Sequence, residues 1–130
     1  MFLHHVYFWL HDPENPEVRE NFEKGLKELV TIDTIRTKHL GVPAQTPREV
    51  VDNSYAYSLL VTFDDKEGHD IYQVHPTHKK FIEDCQQYWD RVRIYDSVDI
   101  WHHKNYVALL KGYITSVIEF VFFQYRMVEY

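Results

Sequence analysis

Phe2-Leu3-His4-His5-Val6-Tyr7-Phe8-Trp9-Leu10 decides the fold. The run is β-branched, aromatic and aliphatic, so it reads as a strand. Successive side chains of a strand point to opposite faces. One face then carries Leu3, His5, Tyr7 and Trp9, and the other Phe2, His4, Val6 and Phe8. Both faces are apolar, and a strand apolar on two sides has to be covered on two sides.

The next segments supply one of those covers. Asn15-Pro16-Glu17 combines a helix cap, a proline at the first helical position and an acid in the first turn. Val18, Phe22, Leu26, Leu29 and Val30 follow at helical spacing. Residues 34–42 read as a weaker strand, and 43–53 as a polar loop able to close over a pocket mouth. Residues 55–63 form a strong strand with Tyr55, Tyr57, Leu59, Val61 and Phe63 expected on one face. Asp64 or Asp65 caps a short helix to Val74. His75-Pro76 then interrupts it, because a residue before proline avoids the α region. A second helix is expected from Pro76 to Trp89, and a last strand over 91–101 with Val92, Ile94, Val98 and Ile100 on one face.

The order β-α-β-β-α-α-β is that of a ferredoxin-like α+β fold, an antiparallel four-stranded sheet with its helices on one face. The other apolar face needs a second subunit, so the expected assembly is a homodimer through sheet-to-sheet packing, a dimeric α+β barrel. Residues 1–103 make this domain. Residues 104–130 form an apolar extension: Val107, Leu110, Ile114, Val117 and Val121 have helical spacing, while 117–123 also suits a strand. Lys111 and Glu119 interrupt it, whereas a membrane span needs about 20 mostly uncharged residues, so no span is expected.

Composition narrows the partners. A net charge of −6, with no basic stripe, argues against nucleic acid. Ten Tyr and eight Phe exceed what a small core hides, which points to a large interface or an aromatic cavity. The one cysteine, Cys85, cannot form an internal disulfide and reads as a small buried hydrophobe, in keeping with a cytoplasmic protein. Met1–His5 lacks the basic start of a signal peptide, so secretion is not expected.

Three segments carry a resemblance: His4-His5-Val6-Tyr7-Phe8-Trp9, the helical stretch Asp70-Ile71-Tyr72-Gln73-Val74-His75-Pro76-Thr77-His78-Lys79-Lys80-Phe81, and Ile94-Tyr95-Asp96. Together, over roughly residues 2–101, they resemble the stress-responsive Dabb family. Its members are dimeric α+β barrels with a first-strand histidine and a Tyr-x-x-His-Pro-x-His-x-x-Phe motif, mostly of unassigned biochemical activity. The family also holds a plant polyketide cyclase, olivetolic acid cyclase, that closes a poly-β-keto chain by aldol condensation without a cofactor. The resemblance implies Tyr72 and His78 as the residues of that chemistry, with His5 and Asp96 completing the pocket. Leu26 and Tyr57 depart from the cyclase, which has a tyrosine and a histidine there, so a different substrate is implied.

Read physically, His78 lies three residues before Phe81 on an inward helix face, and Asp96 shares a strand face with Val92 and Ile94. A buried acid needs a partner, and a His78–Asp96 pair is expected, making His78 a general base. Tyr72 would donate a hydrogen bond to a substrate carbonyl. Tyr7, Trp9, Tyr57, Leu59, Val61, His75, Phe81, Val92 and Ile94 are the expected pocket wall, for a small apolar or aromatic carbonyl ligand. Against this stands a plain structural alternative, in which His75-Pro76-Thr77-His78 only builds a helix junction. A haem or quinol monooxygenase is a third reading that no residue specifically demands. No cofactor is expected. Metal is not expected either: His75, His78 and His5 would be the ligands, but no pair of histidines four residues apart on one helix supports them.

Overall fold

The computed structural model describes residues 1–101 and 110–114. The chain divides into two compact units, Met1–Ser97 and Val98–Tyr130. In the second, residues 110–114 are helical; the expectations for 102–109 and 115–130 fall outside the described residues.

The elements are β1 (Phe2–Leu10), α1 (Pro16–Leu29), β2 (Thr37–Gly41), β3 (Tyr57–Phe63), α2 (Lys66–Val74), α3 (Pro76–Cys85) and β4 (Trp89–Val98), with a 3₁₀ turn at Gln86–Tyr88. They build a four-stranded sheet in the order β2-β3-β1-β4. β3 runs antiparallel to both β1 and β2, with His4 opposite Val61, Val6 opposite Leu59 and Phe8 opposite Tyr57. This is the ferredoxin-like α+β fold that the element order implied.

β1 alternates strictly between buried and half-buried residues. Phe2, His4, Val6, Phe8 and Leu10 are the buried set, and α1, α2 and α3 meet it. Phe8 packs edge-on against Phe22 of α1 and Phe81 of α3, while Phe2 stacks on His69 of α2. The opposite set, Leu3, His5, Tyr7 and Trp9, stays half-buried, and no helix among the described residues of Met1–Ser97 packs on it.

Local chemistry sets the start of α1 and the junction between α2 and α3 as expected. Asn15 Oδ1 accepts hydrogen bonds from Glu17 N–H at 3.0 Å and Val18 N–H at 3.3 Å, and Pro16 opens α1. His75 is extended, at φ −64° and ψ 140°, as a residue before proline should be. Helix α3 ends earlier than the spacing implied, at Cys85 rather than Trp89. Trp89 instead opens β4 and turns its indole into the Phe8–Phe22–Phe81 cluster, which a continued helix would not allow. Tyr55 also departs from its expected face. The chain bends at Ala56 before β3 begins, which breaks the alternation and sends Tyr55 to Tyr7 and Trp9 on the helix-free side.

Helices α1 and α3 approach closely at Gly25, where an added Cβ would collide with Cys85 Sγ. Glycine inside an exposed helix normally costs about 1 kcal/mol relative to alanine. Here that sign should reverse: Gly25→Ala is expected to destabilise the fold by about 1–3 kcal/mol through overpacking. Chemical denaturation checks this, and adding Cys85→Ala should recover most of the loss. A more stable Gly25→Ala variant would contradict the close approach.

Candidate functional site

On the helix side, β1, α2, α3 and β4 bring four polar rings and one carboxylate together. His4 of β1 is 3% exposed, and its Nδ1 lies 2.5 Å from Asp96 Oδ1 of β4. Tyr72 of α2 is 1% exposed and meets His4 edge-on with ring centroids 5.7 Å apart. On its other side Tyr72 meets His78 of α3, with centroids 4.9 Å apart at 74°. His69, one helical turn before Tyr72, lies 5.0 Å from His4 by ring centroids. The donor atoms of His4, His69 and Asp96 all lie within 4.8 Å of one another.

Burial governs the protonation states. It pushes the Tyr72 phenol well above its ordinary value, so the hydroxyl keeps its proton. It pulls the His78 imidazole below its ordinary value, and the neighbouring His4 and His69 pull the same way. His4 is also lowered, burial outweighing the hydrogen bond to Asp96. On the other sheet face His5 is lowered by burial, with His39 and His4 adding to it.

A stability consequence follows from these directions. A histidine depressed in the folded state binds fewer protons there than in the unfolded chain. Its contribution is therefore complete above the ordinary value of 6.5 and is lost as pH falls through the depressed value. The thermal midpoint is expected to fall between about pH 7 and about pH 5, and to fall less steeply in His78→Gln. A scanning-calorimetry series checks this, and an unchanged or rising midpoint on acidification would contradict it.

Several sequence expectations need correction. The β1 histidine on the helix side is His4, not His5. His5 points to the helix-free face, with Nδ1 3.2 Å from Tyr7 Oη. Adjacent strand residues face opposite ways, and two apolar faces leave the pattern silent about which one meets the helices. Asp96 pairs with His4 rather than with His78, because β4 lies next to β1 in the sheet.

The expected pocket wall is likewise divided. Leu59, Val61 and Phe81 are buried on the helix side, where Val92 is half-buried. Ile94, on the strand face of Asp96, is 51% exposed. Tyr7 and Trp9 lie on the opposite face and line a cleft of about 360 Å³ with Asp52, Tyr55, Arg91, Arg93 and Tyr95. There the Arg91 guanidinium sits 4.3 Å above the Trp9 ring. His75 caps the helix junction, its Nδ1 accepting the Thr77 N–H at 3.0 Å. Tyr57 borders a separate cleft of about 270 Å³ with Leu26, Leu40 and Val42. Its hydroxyl is buried with Arg19 and Glu23 beside it, and burial above all pushes its pKa up to about 12. The Cys85 thiol is buried and pushed up to about 11, which suits the structural reading of that residue.

His4 and His69 were not singled out by sequence reasoning. The legible signal for His69 was its spacing, since residues three apart on a helix share a face and Tyr72 was already expected to reach the substrate.

Comparison with known proteins agrees with this fold. The model of the stress responsive A/B barrel domain, Dabb, matches residues 2–99. A solved protein of Arabidopsis thaliana is 26% identical, with 76% of this chain and 95% of that chain covered and a TM-score of 0.64. A Dabb family protein with a ferredoxin-like fold from Mesorhizobium loti is 21% identical over 75% of this chain and 95% of that one, with a TM-score of 0.63. A dimeric ferredoxin-like protein of unknown function from Thermobifida fusca is 17% identical over 75% and 90%, also with a TM-score of 0.63. A search of curated proteins finds no match. No helix among the described residues is long and apolar enough to cross a membrane. With the family motif, the strand order and the match over residues 2–99 in agreement, the chain belongs to the Dabb family of stress-responsive A/B barrel domains.

Proposed function

We propose that this chain works as a homodimer through its helix-free sheet face, and that its helix-side site moves a proton on a small apolar carbonyl compound. One observation carries the second half. Tyr72 and His78 stand in ring contact with complementary protonation, a phenol held protonated beside an imidazole held neutral. A hydrogen-bond donor and a proton acceptor are thus available together at neutral pH. Tyr72 would donate to the carbonyl oxygen while His78 takes a proton from the α-carbon. Negative charge then develops on the oxygen, where the phenol stabilises it, and the imidazolium returns its proton to complete an isomerisation or to assist a condensation. Leu26 and Tyr57 give the neighbouring cleft its own shape, in keeping with a substrate different from that of the polyketide cyclase.

Solvent exchange tests this reading without knowledge of the natural substrate. Small aryl and alkyl ketones, incubated with the full chain in deuterated buffer, are expected to take up deuterium at the α-carbon faster than in buffer alone. A panel that shows no acceleration would refute proton transfer.

Ligand binding without turnover is a second reading, favoured by the cleft of about 270 Å³ that Tyr57 borders with Leu26, Leu40 and Val42. It predicts saturable binding of a small hydrogen-bonding apolar molecule that Tyr57→Phe weakens, with no exchange. The dimer half rests on the half-buried Leu3, His5, Tyr7 and Trp9 and on the dimeric state of the Thermobifida fusca relative.

A further inference from the structure

His69 is the feature that a Tyr72–His78 site does not use. It is 9% exposed, stacks on Phe2 with ring centroids 4.4 Å apart and stands edge-on to Phe63 at 5.6 Å. An imidazole set among aromatic rings needs compensation for its lost hydration. Its surroundings supply partners for both nitrogens: Asp70 Oδ1 lies 3.3 Å from Nδ1, and the Gln73 amide 3.1 Å from Nε2. Next to it stand two further donors already paired to each other, His4 and Asp96.

We propose that His4, His69 and Asp96 bind one divalent transition-metal ion. Two imidazole nitrogens and one carboxylate form a donor set suited to zinc and to its neighbours among the first-row metals. Ligand atoms sit about 2.0–2.2 Å from zinc, which places donors around one ion about 3–4 Å apart. The present spread, within 4.8 Å, closes to that by small side-chain rotations. The ion would replace the hydrogen bond that now joins His4 to Asp96, and Gln73 would release Nε2 of His69. Asp70 would then hold the remaining nitrogen, the carboxylate-on-histidine arrangement that orients metal-binding imidazoles.

Two further features suit an ion. The three donors come from β1, α2 and β4, so the folded framework and not a flexible loop sets their spacing. The Asp96 side chain is 40% exposed while that of His4 is 4% exposed, which gives an ion a path from solvent to a largely dehydrated site. Three protein ligands leave at least one position for water or a ligand oxygen, beside Tyr72. The inference does not depend on proton transfer by His78, which is not among the donors.

Metal titration of the full-length chain, stripped with a chelator, decides the matter. Cobalt(II) at about pH 7.5 is expected to give visible ligand-field bands that saturate at one ion per chain, and zinc should displace it. His69→Ala and Asp96→Asn are each expected to weaken binding by about 10–100-fold or more. Replacement of the exposed His11 by alanine should leave it unchanged. Asp96→Asn alters a part-exposed side chain at constant size, so it tests the site even if His69→Ala perturbs folding. Absence of saturable binding at micromolar metal would overturn the proposal, as would equal binding by the wild type and Asp96→Asn.

Discussion

His78→Ala is expected to slow ketone exchange by about 10²–10⁴-fold, the usual share of a positioned general base. Removing the imidazole leaves the Tyr72 hydroxyl and the buried wall formed by Phe63 in place. Binding should therefore persist while the proton acceptor is lost, and the effect should fall on kcat more than on KM. Tyr72→Phe removes one donor to the developing oxygen charge and is expected to cost about 10²–10³-fold. Its ring is retained, so the edge contacts to His4 and His78 survive and stability should change little. Steady-state exchange rates with both variants check these values. Rates within twofold of the wild type would remove the two residues from the chemistry.

Leu60→Asp is expected to turn the dimer into a folded monomer. Leu60 lies between His5 of β1 and His39 of β2 in the sheet register, near the centre of the helix-free face. Its neighbours across β1 there are the half-buried Leu3, His5 and Tyr7. A carboxylate at that point would be buried unpaired in each half of a face-to-face interface, at a cost of several kcal/mol per charge. Two such charges exceed what a dimer of ordinary affinity can absorb. The helix-side core, with Phe8, Phe22 and Phe81, is untouched, so helical circular dichroism should persist. Sedimentation at micromolar concentration distinguishes the outcomes, and an unchanged dimer would place the interface elsewhere.

How far these features were legible depends on what kind of pattern encodes them. β1 was plain because its two apolar faces admit only one kind of architecture, and α1 because Asn15 and Pro16 act locally as cap and first turn. The choice between His4 and His5 was not legible. Strand alternation separates them, but only tertiary packing says which face receives α2 and α3. Asp96 was rightly placed with Val92 and Ile94 on one strand face, yet its partner depends on β4 adjoining β1, a long-range fact. Tyr55 was misplaced because a bend at Ala56 resets the alternation before β3. His69 was hidden among the polar Glu67 and Asp70 on a short helix, where spacing from Tyr72 was the only clue.

A crystal structure with a phenol bound as a mimic of the enolate tests the central claim most directly. The account predicts the phenol oxygen within hydrogen-bond distance of Tyr72 Oη, with the adjacent ring carbon facing the His78 imidazole. A phenol bound instead in the cleft between Trp9, Arg91 and Tyr95, with the helix-side site unchanged, would contradict it.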